Sequence, residues 1–208
     1  MSTSSPAAAR ARPYHHGNLR PALVAEAVRV LAEGNPAALS LRELARRLGV
    51  SPAAPYRHFA DKEALLAAVA QHGFELLRAE LDGAAAAHPD EPLRQLADIG
   101  WAYVRFALRH PPYFQVMFGR AATPQAAYPE LLAAGQAAFG TLLRVIEGGQ
   151  RAERVAHGDP RELAVAAWSQ VHGLATLLLE RQLPLEDDME AEALVGRCLE
   201  IQHAGLAR

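Results

Sequence analysis

Nine histidines, one cysteine and 23 acids are the side chains of this 208-residue chain that could do acid–base, nucleophilic or metal chemistry. Their spacing does not assemble any of it. His15-His16 and the other seven histidines lack ligand spacing with carboxylates, and there is no HExxH pair, nucleophile elbow or phosphate-cradling glycine loop. Cys198, the one cysteine, permits no internal disulfide, which fits a reducing cytoplasm. Asp187-Asp188 is most simply a solvated helix start, where the helix dipole favours acids. The expectation is therefore no enzyme, no metal and no cofactor. What remains is cation chemistry. Residues 1–74 hold nine Lys and Arg against five acids, a balance of +4, while residues 75–208 hold twelve against eighteen, a balance of −6. A basic N-terminal module on an acidic body suits a protein that meets phosphate with one end only.

The element that would have to position these cations is Ser40 to Phe59, SLRELARRLGVSPAAPYRHF. Ser40 followed by Glu43 reads as a capping box, each side chain satisfying a backbone N–H at a helix start. Leu41, Leu44, Ala45 and Leu48 recur at helical spacing, with Arg42, Arg46 and Arg47 on the other face. Gly49 stands where a helix end needs the left-handed conformation, and Val50 follows as an apolar plug. Ser51-Pro52 then restarts with an N-cap and a proline at the first helical position. Two short helices joined by a glycine turn have helix-turn-helix geometry, which serves plain packing as readily as DNA binding.

The rest of the chain lacks strand signals and reads as helices punctuated by Pro and Gly, about nine in all. Residues 1–16 form a flexible arm without the apolar core of a signal peptide. Asn18 caps a first helix to about Glu33, with Leu19, Leu23, Ala27, Val28 and Leu31 on one face. Asp61 caps a long helix, and Gly83 to Pro92 is the clearest joint. Further helices follow over Leu93–Arg109, Tyr113–Phe118, Pro129–Glu147, Arg161–Gln182 and Leu185 to about Leu206. No uninterrupted apolar run reaches a membrane span; the longest candidate, Leu163 to Leu179, is broken by Ser169, Gln170 and His172.

The run GVSPAAPYRHFADKEALL resembles the DNA-binding domain of TetR-type bacterial transcriptional regulators, and Leu19 to Phe74 matches it nearly end to end. The resemblance implies an all-α chain: an N-terminal three-helix helix-turn-helix domain at residues 17–77, with its motif at 40–59, and a helical regulatory and dimerisation domain at 78–208. It implies that Ser40, Ser51, Tyr56, His58 and Lys62 grip DNA phosphates, with Arg42 and Arg57 beside them. Hydroxyls and helix N-termini are suited to that task. Phe59 reads as core. Pro52, Ala53 and Ala54 at the exposed start of the second helix offer methyl groups for thymine but few hydrogen bonds, so specificity leans on DNA shape. One departure matters: Pro55 stands where the commonest family pattern has an aliphatic residue. Four residues past Ser51, it removes the first intrahelical bond and is expected to distort that turn and alter docking without abolishing it.

Trp168, His172 and Gly173 (WSQVHG) resemble the WHG type of C-terminal domain within that family, and Tyr103–Ala107 and Met117–Gly119 fit the same type. Ser169, His172, Thr176 and Glu180 make a polar stripe on an apolar helix, open to two readings: satisfied groups at a helix contact, or a ligand contact. Large side chains gather in this half: Tyr103 and Phe106, then Tyr113, Phe114, Met117 and Phe118, then Phe139 and Trp168. Domains of this family enclose a ligand cavity, so the resemblance implies an apolar or aromatic small-molecule site between Tyr113–Phe118 and the helix bearing Trp168, with His172 as its polar contact. The implied protein is a cytoplasmic homodimer on a palindromic operator in double-stranded DNA, a repressor relieved by a small effector, with no membrane partner. An activator or architectural protein without an effector is the alternative, and a helical ligand-binding protein that never touches DNA is the reading from a different class.

Overall fold

The computed structural model describes residues 19–34, 36–119, 124–185 and 187–207; the expected arm at residues 1–16 and the cap at Asn18 lie outside them. Among the described residues eight α-helices follow one another: α1 (Leu19–Ala32), α2 (Leu41–Leu48), α3 (Lys62–Ala86), α4 (Pro92–Arg109), α5 (Pro111–Phe118), α6 (Pro129–Arg151), α7 (Pro160–Leu179) and α8 (Asp188–Leu206). No strand occurs among the described residues; Val155 and Ala207 share an isolated bridge. The chain divides into two compact units, one ending at Leu65 and one beginning at Leu66.

The first unit is built on α1, α2 and the turn that follows. In α1 the buried face is Leu19, Leu23, Val24, Ala27 and Val30, so Val28 and Leu31, expected on it, are only half-buried. Ser40 caps α2, its hydroxyl oxygen accepting from the Glu43 N–H at 3.2 Å. The reciprocal half of the expected capping box is replaced. Glu43 turns its carboxylate to Arg46, at 2.6 and 2.8 Å, and to Arg47, at 3.0 Å. A bidentate guanidinium offers the carboxylate more than one backbone N–H does. At the other end Gly49 adopts φ 66°, its N–H donates to Arg46 and the Val50 N–H to Ala45. This pair of bonds is the Schellman arrangement, and only glycine enters it without strain.

The expected second helix of the pair is not an α-helix. After Ser51 the chain makes a turn and then a single 3₁₀ turn, Pro55–Arg57. The Ala54 N–H reaches Ser51 at 3.0 Å and the His58 N–H reaches Pro55 at 2.9 Å, both three residues back. Pro52 and Pro55 have no N–H to give, so the bond that would close the first α-turn, from residue 55 to residue 51, cannot form. This explains eight α-helices where nine are expected.

Asp61 opens α3, accepting from the Ala64 N–H at 2.8 Å. The helix passes through the expected joint as far as Ala86, because Ala84, Ala85 and Ala86 are strong helix formers and outweigh Gly83. In the second unit α4 packs on α6, α7 and α8. Its stripe Leu96, Gly100, Tyr103, Val104 and Ala107 is buried throughout. At Gly100 an added Cβ would lie 2.5 Å from the Leu199 side chain of α8, so that side chain packs directly on the α4 backbone there. Pro111 and Pro112 occupy the first turn of α5, where their missing N–H groups cost little, so they open that helix as much as they end α4. Asp159 and Asp187 cap α7 and α8, each accepting a backbone N–H at 2.8 Å. By length and a mean hydropathy of 1.2, α7 is apolar enough to cross a membrane, although Ser169, Gln170 and His172 interrupt it. Its Ala164, Ala167, Val171, Leu174 and Ala175 are instead buried in the unit, and its partners are α4, α6 and α8.

Candidate nucleic-acid interface and internal cavity

Two sets of side chains separate in the first unit. Arg46 and Arg47 are consumed within it. Arg47 bridges Glu33 at 2.6 Å, Glu43 at 3.0 Å and the buried Glu26 at 3.6 Å, and Arg29 also contacts Glu26. The hydrogen bonds from Arg46 and then Arg47 hold the Glu43 carboxyl down to about 2, and Arg47 lowers Glu33 in the same way. Arg47 ties α1 to α2, while Arg46 bonds within α2.

The second set is exposed: Ser40 and Arg42 at the start of α2, Ser51, Pro52 and Ala53 in the turn, Tyr56, Arg57 and His58 around the 3₁₀ turn, and Lys62 at the first position of α3. Ala54 is half-buried. The turn itself is anchored from below by Pro55 and Phe59, both buried, and the Arg20 guanidinium lies 5.3 Å over the Phe59 ring. The turn packs on α1 and α2, so its exposed residues are held on a rigid base. Hydroxyls, an imidazole and cations in this density, with apolar Pro52 and Ala53 at the tip, can grip phosphate and touch base methyl groups.

The second unit contains a cavity of about 240 Å³. Of the side chains expected at a ligand site, Tyr103, Phe118, Phe139 and Trp168 line it. The other five stand behind that wall. Phe106 is fully buried beside His110, with ring centres 5.1 Å apart. Tyr113 hydrogen-bonds His72 Nδ1 of α3 at 2.9 Å, and Met117 covers Gly73, where an added Cβ would lie 2.6 Å from its sulfur. Phe114 stacks on His172 at 5.3 Å. His172 takes its Nδ1 to the Tyr103 hydroxyl at 2.8 Å, so it reaches the cavity only through that phenol. Burial pushes the Tyr103 phenol up and the His172 imidazole down, which leaves both neutral. Of the polar stripe on α7, Ser169 and Thr176 donate to Val165 and His172 carbonyls one turn back, at 2.7 and 2.9 Å.

Sequence reasoning missed the polar lining. Gln125, Gln136 and Gln202 come from three separate elements, and α3 adds Phe74, Leu77 and Leu81. The available signal was a glutamine standing alone on an apolar helix stripe, as Gln136 and Gln202 do. Among the described residues no group of three or more His, Cys, Asp or Glu could hold a metal ion.

Comparison with known proteins agrees with both halves. The family model for bacterial regulatory proteins of the tetR family matches residues 23–69, and the model for the tetracyclin repressor-like C-terminal domain matches residues 96–197. The second match includes Trp168, His172 and Gly173 without being specific to the WHG type. A protein of unknown function from Rhodococcus sp. RHA1 is 36% identical, with a TM-score of 0.83 over 95% of this chain and 100% of that one. A tetR-family regulatory protein from Rhodococcus RHA1 is 23% identical (TM-score 0.69, 90% and 96% covered). The fatty acid degradation regulator FadR of Bacillus halodurans is 14% identical (TM-score 0.69, 91% and 96% covered). At those last two identities the likeness is one of fold. No curated protein matches the chain. A capped helix, a glycine turn and an exposed cationic segment, on a helical unit of matching type, make this chain a DNA-binding transcriptional regulator, and it belongs to the TetR family.

Proposed function

We propose that the chain is a repressor: a homodimer that holds a palindromic operator and releases it when a small apolar or aromatic molecule fills the cavity. The cavity is the observation that carries the effector part. Its lining is chiefly apolar with a few polar side chains, which is the character of a small-molecule site. To relieve binding, the effector must favour a conformer whose two recognition segments are wrongly spaced, since equal affinity for both conformers shifts nothing.

The dimer is supported by the surface of the last two helices. Val165 and Leu177 on α7 and Met189 and Ile201 on α8 are exposed apolar side chains. At Gly173, on the same helix as the first two, an added Cβ would meet nothing within 4 Å. Two copies pairing α7 and α8 would make a four-helix interface and bury these residues. Successive major grooves lie about 34–36 Å apart, so a two-fold dimer is what reads a palindrome. Footprinting the protein on DNA upstream of its own coding sequence tests the reading. Protection of a two-fold symmetric site supports it, and no protection, or protection of a single half-site by a monomer, overturns it.

A further inference from the structure

The cavity in the second unit has a chemical character beyond its apolar walls. None of the described residues lining it is charged. Its polar groups are the amides of Gln125, Gln136 and Gln202 and the linked pair Tyr103 and Trp168. Trp168 Nε1 donates to the Tyr103 hydroxyl at 3.2 Å, and that hydroxyl meets His172 Nδ1 at 2.8 Å. The phenol therefore keeps one hydrogen-bonding position, an acceptor if its proton goes to His172 and a donor if His172 supplies the proton. Gln202 gives one N–H to the Ala167 carbonyl at 2.8 Å, which fixes its amide. With the phenol and imidazole both neutral, no described residue at this wall carries a positive charge to meet an anion. A carboxylate entering the cavity would give up its water for neutral dipoles alone, whereas an alcohol or amide would exchange hydrogen bonds nearly evenly. Size sets a second limit. An apolar cavity of roughly 150 Å³ takes benzene, so 240 Å³ takes about ten non-hydrogen atoms in its apolar part.

We propose that this cavity selects uncharged molecules, a bicyclic or medium-chain apolar body bearing one hydroxyl or amide, and rejects carboxylates of the same shape. The inference rests on the effector-site reading and narrows it to a ligand class. Two matched probe pairs test it on the full-length protein at pH 7.5: 2-naphthamide against 2-naphthoate, and 1-decanol against decanoate. Binding is read as quenching of tryptophan fluorescence and as the thermal unfolding midpoint. The expected result is saturable binding of at least one neutral member, its carboxylate partner binding at least about tenfold more weakly. Ala138→Leu and Ala167→Leu, which fill the cavity from α6 and α7, should each abolish the response; either suffices if the other does not fold. Equal or tighter binding of the carboxylates overturns the charge selection and leaves the effector site standing. No binding of either member of either pair overturns the effector site itself, and this inference with it.

Discussion

Tyr56 and Lys62 are both exposed, one on the 3₁₀ turn and one at the first position of α3. If both contact phosphate, Tyr56→Phe removes a hydrogen bond and Lys62→Ala removes a charge. Each should weaken operator binding about three- to tenfold, and equally for related sequences, because phosphate carries no base identity. Only Lys62→Ala should also flatten the dependence of log affinity on log salt, by about 0.9. Anisotropy titrations across a KCl series separate the two, and unchanged affinity and slope in both variants would remove them from the interface. Glu43 makes a different prediction. Arg46 and Arg47 hold its carboxyl near 2, below the ordinary 4.5, so its contribution to stability is present above pH 4.5 and lost as pH falls from there towards 2. Because the groups are exposed and screened, the effect is small. The difference in urea midpoint between wild type and Glu43→Gln should stay level from pH 7 to 5 and close below 4.5. A difference undiminished at pH 3 would mean that these ion pairs do not support the fold.

Among the elements, α7 and α8 bear the prediction about assembly. Gly173 sits mid-helix at a cost of about 1 kcal/mol relative to alanine, and no neighbour in its own protomer requires it. Gly173→Leu should leave the protomer folded and shift the dimer towards monomer in sedimentation velocity. A variant as dimeric as wild type would move the interface elsewhere. Local signals made most elements legible in the sequence. Ser40, Gly49, Asp61, Asp159 and Asp187 each act through bonds to residues two to four positions away, which spacing alone reveals. The second half of the helix-turn-helix was legible only in part. Pro55 announced a distorted turn, but not the replacement of the whole α-helix by a single 3₁₀ turn at Pro55–Arg57. The division of the arginines was hidden for another reason. Arg46 looks like an outward-facing cation beside Arg42, and Arg47 finds Glu33 fourteen residues back across a helix contact. Periodicity marks a face, and it does not say which partner waits there.

For the molecule as a whole, the cavity was the least legible feature. The aromatic density of residues 101–118 pointed to the right unit, yet Phe106, Tyr113, Phe114, Met117 and His172 pack behind the wall while three glutamines from separate elements face the space. A gap in packing is a property of fitted volumes, and a sequence gives volumes without the fit. In the reading proposed here, the cavity and the DNA-binding unit are coupled. The covalent route is α3, whose first residues, Lys62 to Leu65, belong to the first unit while Phe74, Leu77 and Leu81 line the cavity. Coupling of this kind is reciprocal: whatever factor the ligand takes from operator affinity, the operator must take from ligand affinity. The most direct measurement is therefore the affinity of a cavity ligand, such as 2-naphthamide, for the free protein and for the protein saturated with its footprinted operator. The account predicts weaker binding to the operator complex by about tenfold or more, within the usual range of such couplings. Equal affinity for both forms would contradict it.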